Sequence, residues 1–201
     1  MIKCVISDLG NVILKFDNSI FFRKMSKISP HTPEQMAQLV TENSGLLRAF
    51  GTGKISPLEF YKEVSQKLQL TIDFESFFSA YNDVFGPKTE VLKILMQLKT
   101  KYRLILLSNT DAMHVGFIKK KFPEMFFFDD YVLSCEVGWM KPHPRIYQIA
   151  LRRAKAEAGE CVFNDDIEEN IEGAAKMGIH TILFTPQTDL EAELRKLNIS
   201  F

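Results

Sequence analysis

Lys3-Cys4-Val5-Ile6-Ser7-Asp8-Leu9-Gly10-Asn11-Val12 is the stretch on which the reading turns. Lys3–Ser7 is too short for a helix, runs straight into an acidic residue and a glycine, and reads as a buried strand. Runs of the same kind recur at Arg103–Leu107, Tyr131–Leu133, Cys161–Phe163 and His180–Phe184. Between the later ones lie helical patterns over Lys88–Thr100, Ala112–Lys121, Pro144–Ala156 and Glu168–Met177, the last closed by Gly178. Strands alternating with helices predict an α/β fold, a parallel sheet with helices on both faces. The segment from about Asn18 to Gly86 breaks that alternation. It shows no strand-like run, carries Phe, Leu, Met and Lys at helical spacing, and is punctuated by Ser29-Pro30, Gly51-Thr52-Gly53 and Ser56-Pro57. It is expected to form a small helical cap (18–86) inserted after the first strand of a body made of 1–17 and 87–201.

Composition narrows the function classes. At 201 residues, with 46% hydrophobic and 25% charged residues, the chain has the make-up of a soluble globular protein. Lys plus Arg equals Asp plus Glu at 25 each, so no global field recruits nucleic acid or an acidic membrane. Cys4, Cys135 and Cys161 are far apart and form no C-x-x-C pair, which argues against a disulfide framework. No export signal is read, and no stretch approaches the ~18–20 apolar residues of a membrane span. The expectation is a cytoplasmic protein whose partner is a small molecule. The sequence sets no oligomeric state.

In an open parallel sheet, ligands bind beyond the carboxyl ends of the strands. The first strand is followed there by Asp8-Leu9-Gly10-Asn11-Val12 and the second by Ser108-Asn109-Thr110. A later loop carries Gly138-Trp139-Met140-Lys141-Pro142, and the fourth strand leads into Asn164-Asp165-Asp166. Singly, each has an ordinary reading: a strand end, a helix cap, a surface lysine, a solvated turn. Together, in order on one rim, they suit a phosphoryl group. A carboxylate such as Asp8 can attack phosphorus and split one displacement into two. A hard cation must then offset its repulsion with the phosphate, and Mg²⁺ takes one or two carboxylates plus phosphate and water. Asp8, Asp166 and the Gly10 carbonyl are candidate ligands. Lys141 and the Ser108 hydroxyl suit the remaining phosphate oxygens.

The ordered set resembles the haloacid dehalogenase-like hydrolase superfamily. The resemblance is carried by Ile6 through Ile13, by Leu107 through Thr110, by Gly138 through Pro142 with Arg145-Ile146-Tyr147, and by Val162 through Asp166 with Asn170, Gly173 and Ala174. It implies a Rossmann-like body with a cap and a Mg²⁺-dependent phosphatase acting on a small-molecule phosphate ester. It further implies that Asp8 is the nucleophile, that Ser108, Lys141 and the Asn109 backbone N–H hold phosphate, and that Asp8, Gly10 and Asp166 ligate the metal. Asp165 would ligate directly or through water, and Asn170 would brace the loop.

One position departs from the pattern. Most phosphatases of this superfamily carry a second Asp, the general acid/base, two residues after the nucleophile; here the residue is Gly10. General acid–base catalysis is typically worth ~10²–10⁴-fold. Three explanations stand. In the first, the substrate supplies a better leaving oxygen, as an anomeric sugar phosphate does, and the Asp-Leu-Gly-Asn-Val form is similar to bacterial α-D-glucose-1-phosphate phosphatases, which also carry Gly there. Asp17 is then a possible sugar contact or substitute acid, or else a helix cap. Alternatively, the chain is a 2-haloacid dehalogenase-type hydrolase, or a phosphate-binding protein that has lost turnover. In the cap, Arg48 is the cation singled out as a possible substrate contact, among Phe16, Phe22, Arg23, Phe50 and Lys54.

Overall fold

The computed structural model describes residues 1–42 and 44–201. Strand β1 (Cys4–Ser7) is followed by β2 (Leu14–Phe16) and a run of helices, α1 (Ser19–Met25), α2 (Pro33–Glu42), α3 (Ser44–Gly51), α4 (Pro57–Lys67) and α5 (Phe74–Asn82). Then come β3 (Phe85–Lys88), α6 (Val91–Leu98), β4 (Arg103–Ser108), α7 (Ala112–Lys121) and β5 (Asp130–Leu133). The chain ends through α8 (Ser134–Val137), α9 (Pro144–Ala154), β6 (Cys161–Asp165), α10 (Glu168–Ala175), β7 (His180–Leu183) and α11 (Leu190–Lys196).

The main sheet is parallel, in the order β5-β4-β1-β6-β7, so β1 is central. Alternation along the strands sorts its side chains between two apolar layers. Val5, Leu104, Leu106 and Val162 pack with Leu95 and Leu98 of α6, Ile118 of α7 and Leu194 of α11. Ile6, Ile105, Leu107 and Phe163 pack with Ile146, Tyr147 and Ala150 of α9 and Ala174 of α10. This is the period-2 logic of a strand buried on both faces, and it yields the expected α/β sheet covered on both sides.

The helices between β2 and β3 build an apolar cluster of their own around Phe21, Met36, Phe50, Phe60, Leu68 and Phe77, joined by Met113 from α7. Phe50 and Phe60 stack with centroids 4.1 Å apart. Local signals start these helices: Ser56 and Glu59 form a reciprocal capping box on α4, and Asp73 caps α5. Gly51-Thr52-Gly53 lies against the sheet-bearing part of the chain. A Cβ on Gly53, at φ +69°, would meet the Cys135 carbonyl oxygen at 2.2 Å.

The structure corrects the reading at three places. The helix expected from Lys88 begins at Val91, and the segment expected to be free of strands up to Gly86 ends in β3, which pairs antiparallel with β2. So short a pair, with Lys15 in one strand and Gly86-Pro87 in the other, leaves no run long enough to read. Strands β4 and β6 extend through polar Ser108 and Asp165, because the ladder continues to partners Leu133 and Leu183. Asp111, not Ser108-Asn109-Thr110, caps α7, accepting from the N–H groups of Met113 and His114.

Candidate active site

The carboxyl ends of β1, β4 and β6 deliver the predicted groups to one cavity of about 150 Å³. It is lined by Asp8, Gly10, Ser108, Asn109, Lys141 and Asp166, together with Asn11, Phe16, Phe85, His114 and Asn170. Asp8 leaves β1 with its N–H donating to the Asn164 carbonyl at 3.0 Å. Its carboxylate accepts from the Lys141 ammonium at 2.6 Å. The same ammonium donates to Asp165 at 2.5 Å and to the Leu107 carbonyl at 3.1 Å, so all three of its protons are placed. Lys141 is buried, and its loop is clamped by the side chain of Asn109, which donates to the Lys141 carbonyl at 2.9 Å and accepts from its N–H at 2.8 Å.

Asp165 is wholly buried behind Lys141. Besides the ammonium it accepts from the Asn170 amide at 2.9 and 3.1 Å and from the Ile167 N–H at 2.8 Å. These contacts make it an anchor for Lys141 and leave Asp8 and Asp166 as the carboxylates facing the cavity. Asn170 braces this corner and accepts from Tyr147 through its own carbonyl at 2.7 Å. A further contact explains Gly173 in the same motif. A Cβ there would lie 2.9 Å from Pro142 and 3.0 Å from the Tyr147 hydroxyl, so α10 closes on the lysine loop only with glycine.

Oxygens of Asp8, Asp165 and Asp166 lie within 4.8 Å of one another. Three carboxylates against one ammonium carry two surplus negative charges. Burial pushes the Asp8 carboxyl up to about 6, with Lys141 pulling it down and Asp165 adding to the rise. Burial also raises Asp166, against a hydrogen bond from Asn11. For Lys141, burial works against the ammonium, but Asp8 and Asp165 outweigh it and hold the group charged. An all-oxygen donor set with two unbalanced charges fits a hard divalent cation such as Mg²⁺.

Neither Asp17 nor Arg48 lines this cavity; Asp17 lines an adjoining one of about 820 Å³ that shares Asn11, Phe16 and Asp166 with it. Asp17 accepts from the Ser19 N–H at 2.9 Å and lies 3.5 Å from Arg23; the Ser19 bonds hold its carboxyl below the usual range, which makes it a poor proton donor. Arg48 lines another cavity, of about 320 Å³, with Lys54, Trp139 and the rest of the lysine loop. Phe50 is in the helical core, while Phe16 does face the site.

Sequence reasoning missed the Asn109 clamp and two wall groups. Asn11 sits at φ 55° and accepts from the Phe16 N–H at 3.1 Å; an Asn after a glycine at a strand end is the signal that could have found it. His114 falls inside the helical pattern Ala112–Lys121, with no motif around it to mark it. It lines the cavity, stacks on Tyr81 at 4.5 Å, and lies 2.9 Å from Asp111, which also accepts from the Tyr81 hydroxyl at 3.0 Å.

Comparison with known proteins returns the same set of parts. The model of the haloacid dehalogenase-like hydrolases matches residues 2–178. Bifunctional epoxide hydrolase 2 of Rattus norvegicus is 41% identical over 70 residues, covering 35% of this chain and 13% of that protein, so the chain spans only a small part of that relative's length. D-ribitol-5-phosphate phosphatase of Bacteroides thetaiotaomicron is 25% identical over 197 residues, covering 93% of each. A crystal structure of a HAD family enzyme from Bacteroides thetaiotaomicron, in complex with magnesium and inorganic phosphate, superposes with a TM-score of 0.85 at 27% identity, covering 97% of this chain and all of that one.

Proposed function

Because this chain belongs to the haloacid dehalogenase-like hydrolase family, we propose that it is a Mg²⁺-dependent phosphatase whose nucleophile is Asp8. The observation that carries the reading is the convergence of Asp8, Lys141 and the Asp165–Asp166 pair at the ends of adjacent strands, with surplus negative charge and oxygen donors only. The full-length relative named as a sugar-alcohol phosphatase and the neighbour holding magnesium and phosphate support it.

Asp8 and Asp166, with the Gly10 carbonyl, would hold Mg²⁺, which supplies charge neutralisation between the carboxylate and the phosphoryl oxygens. Asp8 attacks phosphorus, forming its bond as the ester P–O bond breaks. The alcohol leaves with the electron pair and is protonated by solvent water. A second water then attacks the same phosphorus and gives up its proton to solvent, the Asp8–phosphorus bond breaks, and the carboxylate is restored. Lys141, Ser108 and the Asn109 N–H meet the equatorial oxygens. Asp165 acts through Lys141, as a positioning residue. The segment 18–86 serves as a cap over a body formed by 1–17 and 87–201.

The substrate is read as a small monoester, in particular a sugar phosphate such as a hexose 1-phosphate. Support comes from Gly10. It is not among the glycines with positive φ, and a Cβ there would meet only the Phe16 Cβ, at 3.8 Å. Backbone and space both admit a Cβ, so glycine is imposed there neither by backbone conformation nor by crowding at that atom, and a hemiacetal oxygen leaves with less help than a simple alkoxide. The test is phosphate release from hexose 1- and 6-phosphates and an aryl phosphate, with Mg²⁺ and with chelator. Mg²⁺-dependent release favouring 1-phosphates is expected. Absence of release from every ester, alongside chloride release from 2-chloropropionate, would overturn the reading.

A further inference from the structure

The catalytic cavity, at about 150 Å³, falls well short of the ~300–1,000 Å³ usual for a small-molecule site. It houses the phosphoryl group, so the alcohol half of an ester needs a second space. Two cavities adjoin. The one beside Arg48 shares only Lys141 with the catalytic cavity, and the Lys141 ammonium is turned inward onto Asp8 and Asp165. The other, of about 820 Å³, shares Asn11, Phe16 and Asp166 with it. Its walls come from the β2–β3 pair, the start of α1 and the loop after β7, with Phe16, Ile20, Val84 and Phe184 as the apolar lining.

Several polar groups in those walls are already engaged. The Thr89 hydroxyl donates to the Val12 carbonyl at 2.6 Å, Thr185 pairs with Thr188 at 3.0 Å, and Asp17 is held by Ser19 and Arg23. Lys15 also borders the chamber, from the exposed side of β2, and Asn11 and Asp166 stand at its junction with the catalytic cavity; the remaining surface it offers a ligand is mainly carbon. We propose that this chamber receives the alcohol moiety of the ester, and that it selects alcohols presenting an apolar face, such as an aryl ring or the C–H face of a sugar. Specificity then resides in the β2–β3 pair and the β7–α11 loop, and Arg48 takes no part. The inference rests on the phosphatase reading above and deepens it.

The test uses two activated donors, so that the missing acid at Gly10 limits neither: phenyl phosphate, with a large apolar alcohol, and acetyl phosphate, with a small polar group. Ile20→Trp, from α1, and Pro186→Trp, from the loop after β7, add bulk at two residues that line the chamber, and thermal melts check that each variant folds. The ratio of kcat/KM for phenyl phosphate to that for acetyl phosphate should fall about tenfold in both, within the ~10–200-fold range for pocket-shape discrimination. An unchanged ratio in folded variants, or a comparable fall in Arg48→Ala, overturns the inference alone. A parent enzyme that releases phosphate from neither donor overturns the phosphatase reading, and this inference with it.

Discussion

Lys141 holds two carboxylates with one ammonium, and the cost of that arrangement falls on Asp8. The Asp8 carboxyl is raised from 3.8 to about 6 by burial, so between those values the folded chain keeps a proton that the unfolded chain has released. Stability therefore falls as pH rises through this window, by on the order of 3 kcal/mol at its upper end. Asp8→Asn removes the titration. In metal-free buffer the variant should lose less stability than the parent between pH 4 and 6.5, and should melt higher at pH 7 while showing no turnover. A parent–variant difference in melting temperature that stays constant across that range contradicts the burial argument. Gly10→Asp tests the other half of the site chemistry. Since the backbone admits a Cβ there, turnover of simple alkyl phosphates should rise by about 10²-fold, the lower end of the ~10²–10⁴ scale of general acid catalysis. No rise would separate the glycine from the choice of leaving group.

At the scale of elements, the lysine loop is fixed from two sides: the Asn109 side chain after β4 and the glycine of α10. Gly173→Ala must push Pro142 or Tyr147 by a few tenths of an ångström. A cost of about 1–3 kcal/mol is expected from overpacking, with a raised KM for phosphate esters as Lys141 shifts. Denaturant melts and steady-state kinetics check both, and a variant unchanged in each would show that the loop adapts freely. The elements themselves were unequally legible. Strands β1, β4 and β6 could be read because each is a run of residues buried on both faces with a functional group at its end. The β2–β3 pair could not, because its lysine, glycine and proline look like loop. Likewise, Asp8, Ser108, Lys141 and Asp166 were visible from order along the chain. The Asn109 clamp and the inward turn of Asp165 depend on contacts between residues more than twenty positions apart, such as Lys141 with Asp165, and spacing along the chain carries no record of them.

At the scale of the whole molecule, the helical segment meets the sheet-bearing part through a buried polar knot. Tyr81 of α5 donates to Asp111 at the head of α7, Asp111 pairs with His114, and the second ring nitrogen of His114 lies 3.3 Å from the Tyr81 carbonyl. Phe16 and Phe85 of the β2–β3 pair stand perpendicular to the same imidazole in T-shaped contacts. This knot couples the placement of the helices to a wall of the catalytic cavity. Tyr81→Phe removes one donor from a buried carboxylate and should cost about 1–3 kcal/mol, with KM rising more than kcat falls. Equal stability of variant and parent would show that the knot does not hold the two parts together. Among the described residues no helix is long and apolar enough to cross a membrane.

The central claim is that Asp8 carries the phosphoryl group between its two transfers. The most direct measurement is an acid-quenched reaction with a ³²P-labelled phosphate ester and Mg²⁺, followed by peptide mapping of the trapped protein. Label on the peptide containing Asp8, lost on incubation with Mg²⁺ in water and absent from Asp8→Asn, is the predicted result. Phosphate released at full rate with no label on the protein in any quench, or full turnover by Asp8→Asn, would contradict it.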